Sequence, residues 1–210
     1  MSAASDVARV PPVEVGRIRD GLWRWTAPHP DWKPSSEGWE KDVGCVYYEG
    51  PDAVVLIDPL VPADDAARFW EALDRDVERA GRPVVVLRTV HWHQRSIDDV
   101  LARYPGARAW DGDAGTLPAG VAAYAAARKH EIVFWIEEHR ALVPGDVLLG
   151  TADGGVRPCP DSWLPNGTTG EELRESLRPL LELPVDMVLL SHGRPVLANG
   201  RDALAAALAA

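Results

Sequence analysis

The clearest indication of the architecture is in residues 84–96, which read VVVLRTVHWHQRS. Four consecutive apolar residues, Val84 to Leu87, predict a short strand that is covered on both faces. A polar segment follows, in which His91 and His93 are separated by one residue. In an extended segment, residues i and i+2 point to the same side, and two imidazoles on one side suit a divalent metal ion. The stretch therefore predicts a metal-binding loop at the rim of a sheet, where α/β proteins place their ligand sites.

Three more polar residues follow predicted strands. Asp58 comes directly after the apolar residues 53–57, Asp146 follows a predicted hairpin, and His192 follows the apolar residues 185–190. Each has an ordinary explanation on its own, as a turn residue or as a histidine at the rim of a sheet. Their joint occurrence at strand ends indicates one site, to which several strands contribute.

The remaining sequence predicts a strand-rich start followed by alternating helices and strands, which is typical of the α/β class. Strands are predicted over residues 18–25, 44–48, 53–57, 84–87, 107–110, 132–136, 141–143 and 185–190, and helices over residues 63–80, 97–104, 171–183 and 202–209. An Ala/Gly-rich stretch before residue 132 has no clear periodicity. No repeat or linker indicates a domain boundary, so a single domain over residues 1–210 is expected.

Residues 26–42 predict a long loop, because they are rich in Pro, Ser, Gly and charge. Loops of this length in compact domains are often functional. His29, Asp31 and Trp32 belong to it, and we expect it to close over the site. Its tryptophans, Trp32 and Trp39, have two interpretations: packing at the core and rim, or an aromatic wall that faces a substrate.

Charge and cysteine content limit the function classes. A net charge of −10 argues against nucleic acid and anionic membrane surfaces as partners. No apolar run is long enough to span a membrane, and residues 1–9 lack the apolar segment of a secretory leader. Cys45 and Cys159 have no paired spacing, so no disulfide framework is expected. We therefore expect a cytoplasmic protein that acts on a small-molecule substrate. The sequence does not decide between a monomer and a homodimer.

The order of the motifs resembles the metallo-β-lactamase superfamily. The resemblance comprises His-x-His after a strand, Gly145-Asp146 after a hairpin and Ser191-His192-Gly193 after a late strand, and it extends over nearly the whole chain. It implies an αβ/βα four-layer sandwich with the metal site between the two sheets. Members of this superfamily are mostly hydrolases with one or two zinc, iron or manganese ions, which act on esters, thioesters, lactams or phosphodiesters.

The first motif of the superfamily, HxHxDH, is only partly present. His91 and His93 match its first two histidines, which imply ligands of the first metal ion. Arg95 stands in place of the aspartate, and Ser96 stands in place of the third histidine. Both losses affect the second metal ion. We expect Ser96 to serve as the N-cap of the following helix.

The later motifs are retained. Asp146 matches the aspartate that bridges the two metals, and His192 matches the last histidine of the second site. The remaining histidine of the first site normally lies just before the hairpin, where alignment places Ala127. His130 lies nearby, and it either replaces that ligand or simply begins the strand.

Arg95 has the largest consequence for metal binding. A guanidinium is permanently cationic and never a metal ligand at neutral pH, so it repels a second divalent ion. Arg95 is expected either to pair with Asp146 or to point to solvent. The resemblance thus implies at most one divalent ion, zinc first with iron or manganese as alternatives, on His91, His93 and Asp146, with His192 or His130 completing the site.

Two functions follow from this site. In the first, the chain is a metal-dependent hydrolase of ester- or thioester-like substrates, in which Asp146 orients the attacking water and Arg95 stabilises an anionic group. In the second, no metal is bound, hydrolysis is lost, and the inherited cleft binds a small molecule or a protein partner. In that case a pair between Arg95 and Asp146 is structural.

Overall fold

The computed structural model describes residues 15–36, 39–110, 112, 115–127 and 130–209. The expected lack of a secretory leader concerns residues 1–9, which lie outside the described residues. Among the helices of the described part, none is both long and apolar enough to cross a membrane. Cys45 and Cys159 are both buried, and no disulfide joins them.

A six-stranded sheet forms the first half of the fold. Its strands follow chain order: β1 (Val15–Arg19), β2 (Leu22–Pro28), β3 (Asp42–Glu49), β4 (Val54–Ile57), β5 (Val84–Leu87) and β6 (Arg108–Trp110). The first four pair antiparallel as a meander, whereas β4, β5 and β6 pair parallel. Parallel strands need crossover connections, and two helices supply them: α1 (Ala66–Ala80) and α2 (Ile97–Arg103).

The second half contains a four-stranded sheet and a separate hairpin. The strands are β7 (Val121–Ala125), β8 (Ile132–Ile136), β9 (Ala141–Val143), β10 (Leu148–Gly150), β11 (Val156–Pro158) and β12 (Met187–Val188). The sheet order is β12-β9-β8-β7, and β10 pairs with β11 alone. Two further helices are α3 (Gly170–Leu177) and α4 (Gly200–Ala209).

Three apolar cores define four layers. One core joins the outer face of the six-stranded sheet to α1 and α2, a second lies between the two sheets, and a third joins the four-stranded sheet to α3 and α4. The order is therefore helices, sheet, sheet, helices. This confirms the predicted α/β class and the αβ/βα sandwich.

Several predicted elements differ in detail. The single strand predicted over residues 18–25 is two strands, because Gly21, with φ of 73°, allows a tight turn between β1 and β2. The unassigned stretch contains β7. The helix predicted over residues 171–183 is α-helical only to Leu177 and continues as a 3-10 helix over Arg178–Glu182, because Pro179 cannot donate a backbone hydrogen bond.

Two more predictions need correction. The strand predicted over residues 185–190 is reduced to β12, because only two of its residues pair with β9. Ser96 does occupy the N-cap position of α2, but its side chain makes no capping bond. Its hydroxyl instead accepts a hydrogen bond from Val61 N–H at 3.0 Å. Ser96 therefore ties the start of α2 to the segment that follows β4.

Candidate metal centre

Three buried side chains converge between the two sheets. His93 follows β5, Asp146 follows β9 and His192 follows β12, and their side chains can offer three ligand atoms that all lie within 4.8 Å of one another. Nε2 of His93 and Nε2 of His192 are each 3.3 Å from Oδ1 of Asp146. The three residues are 4%, 7% and 4% exposed, for His93, His192 and Asp146 respectively. The sequence predicted all three as site residues.

His93 is oriented by Asp58. Nδ1 of His93 lies 2.9 Å from Oδ2 of Asp58. A carboxylate only accepts hydrogen bonds and a guanidinium only donates them, so the contacts with Asp58 and with Nη2 of Arg95 place the hydrogen of the neutral ring on Nδ1 and leave the lone pair on Nε2. Asp58 is itself held by Thr89, whose N–H donates to Oδ1 at 2.9 Å and whose hydroxyl donates to Oδ2 at 2.5 Å. Asp58 therefore orients His93 and is not itself one of the three potential metal ligands.

The pKa of His93 reflects the same contacts. Burial and the charge of Arg95 lower it, but the carboxylates of Asp58 and Asp146 raise it more, so the pKa lies above the usual histidine value. For Asp58, burial raises the carboxyl pKa, but His93 more than offsets this and the pKa is lowered. Asp58 is therefore ionised at neutral pH.

Asp146 is fixed by two hydrogen bonds. Its backbone N–H donates to Oε1 of Glu131 at 2.6 Å, and its Oδ2 accepts a hydrogen bond from Nε1 of Trp92 at 3.0 Å. Its Oδ1 is buried and has no hydrogen-bond partner among the described residues. Burial raises the carboxyl pKa, but His93 and His192 lower it by more than burial raises it, so the pKa lies well below its usual range. Asp146 thus presents an ionised oxygen to two imidazoles.

The backbone before Asp146 requires glycine. Gly145 has φ of 59°, and a Cβ at this position would lie 2.6 Å from Oγ1 of Thr89. Thr89 is the residue that holds Asp58. The close approach of Gly145 to Thr89 therefore packs the loop of Asp146 directly against the support of His93.

His192 is held by aromatic rings and by its loop. Its ring packs edge-on against Trp39, at 5.4 Å between centroids, and against Trp163, at 5.9 Å. The backbone N–H of Gly150 donates to the carbonyl of His192 at 2.9 Å.

A second set of bonds fastens this loop to the first sheet. Gly44 N–H on β3 donates to the carbonyl of Ser191 at 2.7 Å. Nη2 of Arg24 donates to the carbonyls of Leu190, at 2.9 Å, and Gly193, at 3.2 Å. A Cβ at Gly44 would clash with both Nη2 of Arg24 and the carbonyl oxygen of Leu190. Glycine at this position lets β3 approach the loop of His192.

The geometry of the group fits one divalent ion. Zinc–nitrogen and zinc–oxygen bonds of about 2.0–2.1 Å in tetrahedral geometry place ligand atoms roughly 3.3 Å apart. Both distances from Oδ1 of Asp146 to the imidazole nitrogens are 3.3 Å. Two histidines and an aspartate, with one histidine oriented by a carboxylate, are a ligand set that could hold a metal ion.

Arg95 lies beside this group. Its Nη1 donates to the carbonyls of Asp58, at 2.8 Å, and Gly44, at 3.1 Å, and its Nη2 lies 3.4 Å from Nε2 of His93. Neither of the two directions expected for Arg95 is found: both residues are described and no ion pair joins Arg95 to Asp146, and the side chain is half-buried rather than directed to solvent. Arg95 has φ of 39° in the turn before α2, and its guanidinium binds the backbone of β3 and the end of β4 instead.

His91 and His130 lie outside the group. Residues 91–96 form turns rather than an extended segment, so His91 and His93 do not face the same side. The exposed ring of His91 packs against Trp92, at 4.6 Å, and lies 6.2 Å from His130. Trp92 reaches Asp146 in place of His91. Ala127, which aligns with the missing histidine, has no side chain that can bind a metal. Its backbone N–H donates a hydrogen bond to Oγ of Ser176 at 2.9 Å.

A cleft of about 300 Å³ opens above the group. It is lined by His29, Asp31, Trp39, Val43, Trp92, His93, Arg95, Asp146, Trp163 and His192. The predicted long loop supplies the first three of these residues, so it does border the site. Trp32 is not among the lining residues; its Nε1 donates to the carbonyl of Trp39 at 3.3 Å. The loop tryptophans were expected either to pack at the core and rim or to form an aromatic wall of the site. Trp39 lines the cleft, whereas Trp32 does not.

A larger groove of about 660 Å³ lies elsewhere, between the outer face of β1–β3 and α1. Its lining includes Trp23, Trp25, Tyr47 and Phe69, and it contains no member of the His93, Asp146 and His192 group. These aromatic residues belong to the outer core of the first sheet.

Some residues of the site were not found by sequence reasoning. Thr89, Trp92 and Glu131 hold Asp58 or Asp146, and Arg24 holds the loop of His192. Trp92 stands between the two predicted histidines, which is the one hint that the sequence offered. The others contact residues distant in the chain, and no local pattern indicates them.

The comparisons with known proteins address the fold. No protein-family model matches the sequence, and no curated protein matches it either. Solved structures do match over nearly their whole length. A metallo-β-lactamase from Erythrobacter litoralis has a TM-score of 0.65 at 13% identity, with 96% of this chain and 96% of that chain covered.

Two further structures agree. The metallo-β-lactamase FIM-1 from Pseudomonas aeruginosa, in a mono-zinc form, has a TM-score of 0.58 at 12% identity, with 95% of this chain and 96% of that chain covered. A metallo-β-lactamase from Pontibacter korlensis has a TM-score of 0.55 at 13% identity, with 94% and 99% covered. Similarity at such low identity concerns the fold alone. The chain has the metallo-β-lactamase fold.

Proposed function

We propose that the chain is a metal-dependent hydrolase that binds at most one divalent ion, zinc first, through Nε2 of His93, Oδ1 of Asp146 and Nε2 of His192. The observation that carries the proposal is the buried Oδ1 of Asp146, which lies 3.3 Å from each imidazole nitrogen. The hydrogen bond from His93 to Asp58 supports it, because it leaves Nε2 as an acceptor. When bound, zinc supplies Lewis acidity and lowers the pKa of water.

The charges around the group favour one ion over two. Asp58 and Asp146 are buried and ionised, and Arg95 contributes one positive charge beside them. A second divalent ion would lie near the guanidinium of Arg95, and the two positive charges would repel each other. The mono-zinc form of FIM-1 is an instance of this fold with one zinc.

The cleft suggests the substrate class. Its volume of about 300 Å³ is at the lower end of the range for small-molecule pockets, and three indole rings line it. We infer a compact ester or thioester with an apolar acyl part. Trp92 orients Asp146 through the bond to Oδ2, and Arg95 is positioned to stabilise negative charge that develops on the substrate.

A second function is favoured by one observation. Nη2 of Arg95 is 3.4 Å from Nε2 of His93, so the guanidinium competes for the lone pair that a metal ion needs. In this alternative the positive charge of Arg95 replaces the metal ion, and the cleft binds a small molecule or a protein partner without hydrolysis.

Metal content and activity separate the two functions. The protein is purified without chelator, its zinc, iron and manganese are measured by mass spectrometry, and hydrolysis of a panel of esters and thioesters is tested with added zinc or manganese. We expect one metal per chain, loss of metal and activity in His93→Ala, and retention of both in His91→Ala, the matched control. Two metals per chain would contradict the limit of one. A chain that takes up no metal and hydrolyses nothing would favour the second function.

A further inference from the structure

His29 borders the cleft in a fixed position. It is the first residue after β2, its N–H donates to the carbonyl of Lys41 at 2.8 Å, and its carbonyl accepts from Trp32 N–H at 3.2 Å. Its ring packs edge-on against Trp39, with 5.3 Å between centroids and 86° between planes. Since Trp39 also packs against His192, Trp39 connects the ring of His29 to the metal-binding group.

The hydrogen bonds of His29 define its tautomer. The backbone N–H of Asp31 donates to Nδ1 of His29 at 3.2 Å. Nδ1 therefore carries the lone pair, and the hydrogen of the neutral ring is on Nε2. No group in the described part of the chain accepts a hydrogen bond from this Nε2. His29 consequently offers a donor to the cleft and has no free lone pair to offer a metal ion.

The surroundings keep the ring neutral. Burial lowers the pKa of His29, and the nearby charge of Arg95 lowers it further. Protonation would also place a hydrogen on Nδ1, against the N–H of Asp31, and break that bond. His29 and Arg95 both line the cleft, together with His93 and His192.

We propose that His29 is a substrate-contacting residue, whose Nε2–H donates a hydrogen bond to a carbonyl or carboxylate oxygen of the molecule bound above His93, Asp146 and His192. The proposal rests on the proposed function only in that a small oxygen-bearing molecule occupies this cleft; it needs neither a metal ion nor hydrolysis. Arg95 lines the same cleft, and the two side chains together favour a ligand with two acceptor oxygens.

The test uses benzoate as the probe, on the full chain as purified and after chelation. Benzoate carries a planar apolar ring, which suits a cleft lined by three indoles, and two acceptor oxygens. We compare the unsubstituted protein with His29→Phe, which keeps a ring but no donor, and with His29→Gln, whose amide nitrogen lies near the position of Nε2. His130→Gln is the control, because His130 is exposed and does not line the cleft.

We expect His29→Phe to weaken benzoate binding about tenfold or more, since one hydrogen bond to a charged acceptor is lost. His29→Gln should stay within about threefold of the unsubstituted protein, and His130→Gln should not change the affinity. Nitrogen-15 NMR should find the hydrogen of His29 on Nε2, in a signal that disappears in His29→Phe.

Three results would overturn the proposal: a hydrogen on Nδ1 of His29, equal affinity of His29→Phe and the unsubstituted protein, or no benzoate binding by the unsubstituted protein. Absence of metal or of hydrolysis would count against the proposed function alone. Because the NMR and binding measurements after chelation are made without metal and without turnover, the two failures are distinguishable.

Discussion

Replacing Asp58 by asparagine should weaken zinc binding without unfolding the protein. Oδ2 of Asp58 accepts from Nδ1 of His93 at 2.9 Å and from the hydroxyl of Thr89 at 2.5 Å, and its Oδ1 accepts from Thr89 N–H at 2.9 Å. In Asp58→Asn, one oxygen can keep the bond to Thr89 N–H. The amide NH2 then faces Nδ1 of His93, and a donor opposes a donor. The ring of His93 is driven to carry its hydrogen on Nε2, the nitrogen that faces the metal position.

Loss of such a carboxylate partner typically lowers metal affinity by about 10- to 100-fold, which corresponds to about 1.4–2.7 kcal/mol. The affinity is measured by competition with a coloured zinc chelator, and urea unfolding checks that the variant is folded. Asp98→Asn is the control, because Asp98 is exposed and accepts a hydrogen bond from Gln94 at 3.0 Å. Zinc affinity within about threefold of the unsubstituted protein in Asp58→Asn would refute the orienting role.

Three other perturbations have definite expected outcomes. Gly145→Ala should lower the free energy of unfolding, measured in urea, by about 2–4 kcal/mol, because it combines an unfavourable positive φ with a clash against Thr89. The control Gly106→Ala should lose less, because φ is positive there too but nothing lies within 4 Å of the added Cβ. Arg95→Ala should tighten zinc binding about tenfold or more, since a like charge beside the ion is removed; unchanged or weaker affinity in the chelator competition would contradict this. For Asp146, whose carboxyl pKa in the folded protein lies well below its usual range, the stabilisation is present at pH values above that range and is lost as the pH falls toward the folded-state pKa. Thermal unfolding of the metal-free proteins at neutral pH and below about pH 4 measures this. The stability lost on acidification should be smaller in Asp146→Asn than in the unsubstituted protein, because the variant has no carboxylate to protonate.

The sequence was most informative where a strand, a turn and a polar residue coincide. Asp58, Asp146 and His192 each follow a buried strand, and the parallel and antiparallel pairing of those strands brings their ends together. Apolar runs predicted the strands and the α/β class, whereas the sandwich was implied by the resemblance of the motif order to the metallo-β-lactamase superfamily. Local patterns thus gave most of the group, and the resemblance gave the arrangement of the layers.

The sequence was least informative where backbone conformation decides a side-chain direction. Alternation predicted that His91 and His93 share a side, but the segment turns, and Trp92 reaches Asp146 instead. The direction of Arg95 depends in the same way on its positive φ and on backbone carbonyls of β3 and β4. Such contacts join residues distant in sequence, and no local periodicity encodes them.

Short strands were also missed. The two strands of the hairpin β10 and β11 have three residues each, too few for an alternating pattern to be recognised. Their consequence for the site is nevertheless direct, since Gly150 at the end of β10 donates its N–H to the carbonyl of His192. The position of His192 thus depends on an element that the sequence did not predict.

The central claim is that one metal ion is bound by His93, Asp146 and His192. Crystals grown with zinc and measured on both sides of the zinc absorption edge test it directly. We expect one anomalous peak per chain, at about 2.0–2.1 Å from Nε2 of His93, Oδ1 of Asp146 and Nε2 of His192. Two peaks, a peak bound by His91, or no peak with Arg95 still beside Nε2 of His93 would contradict it.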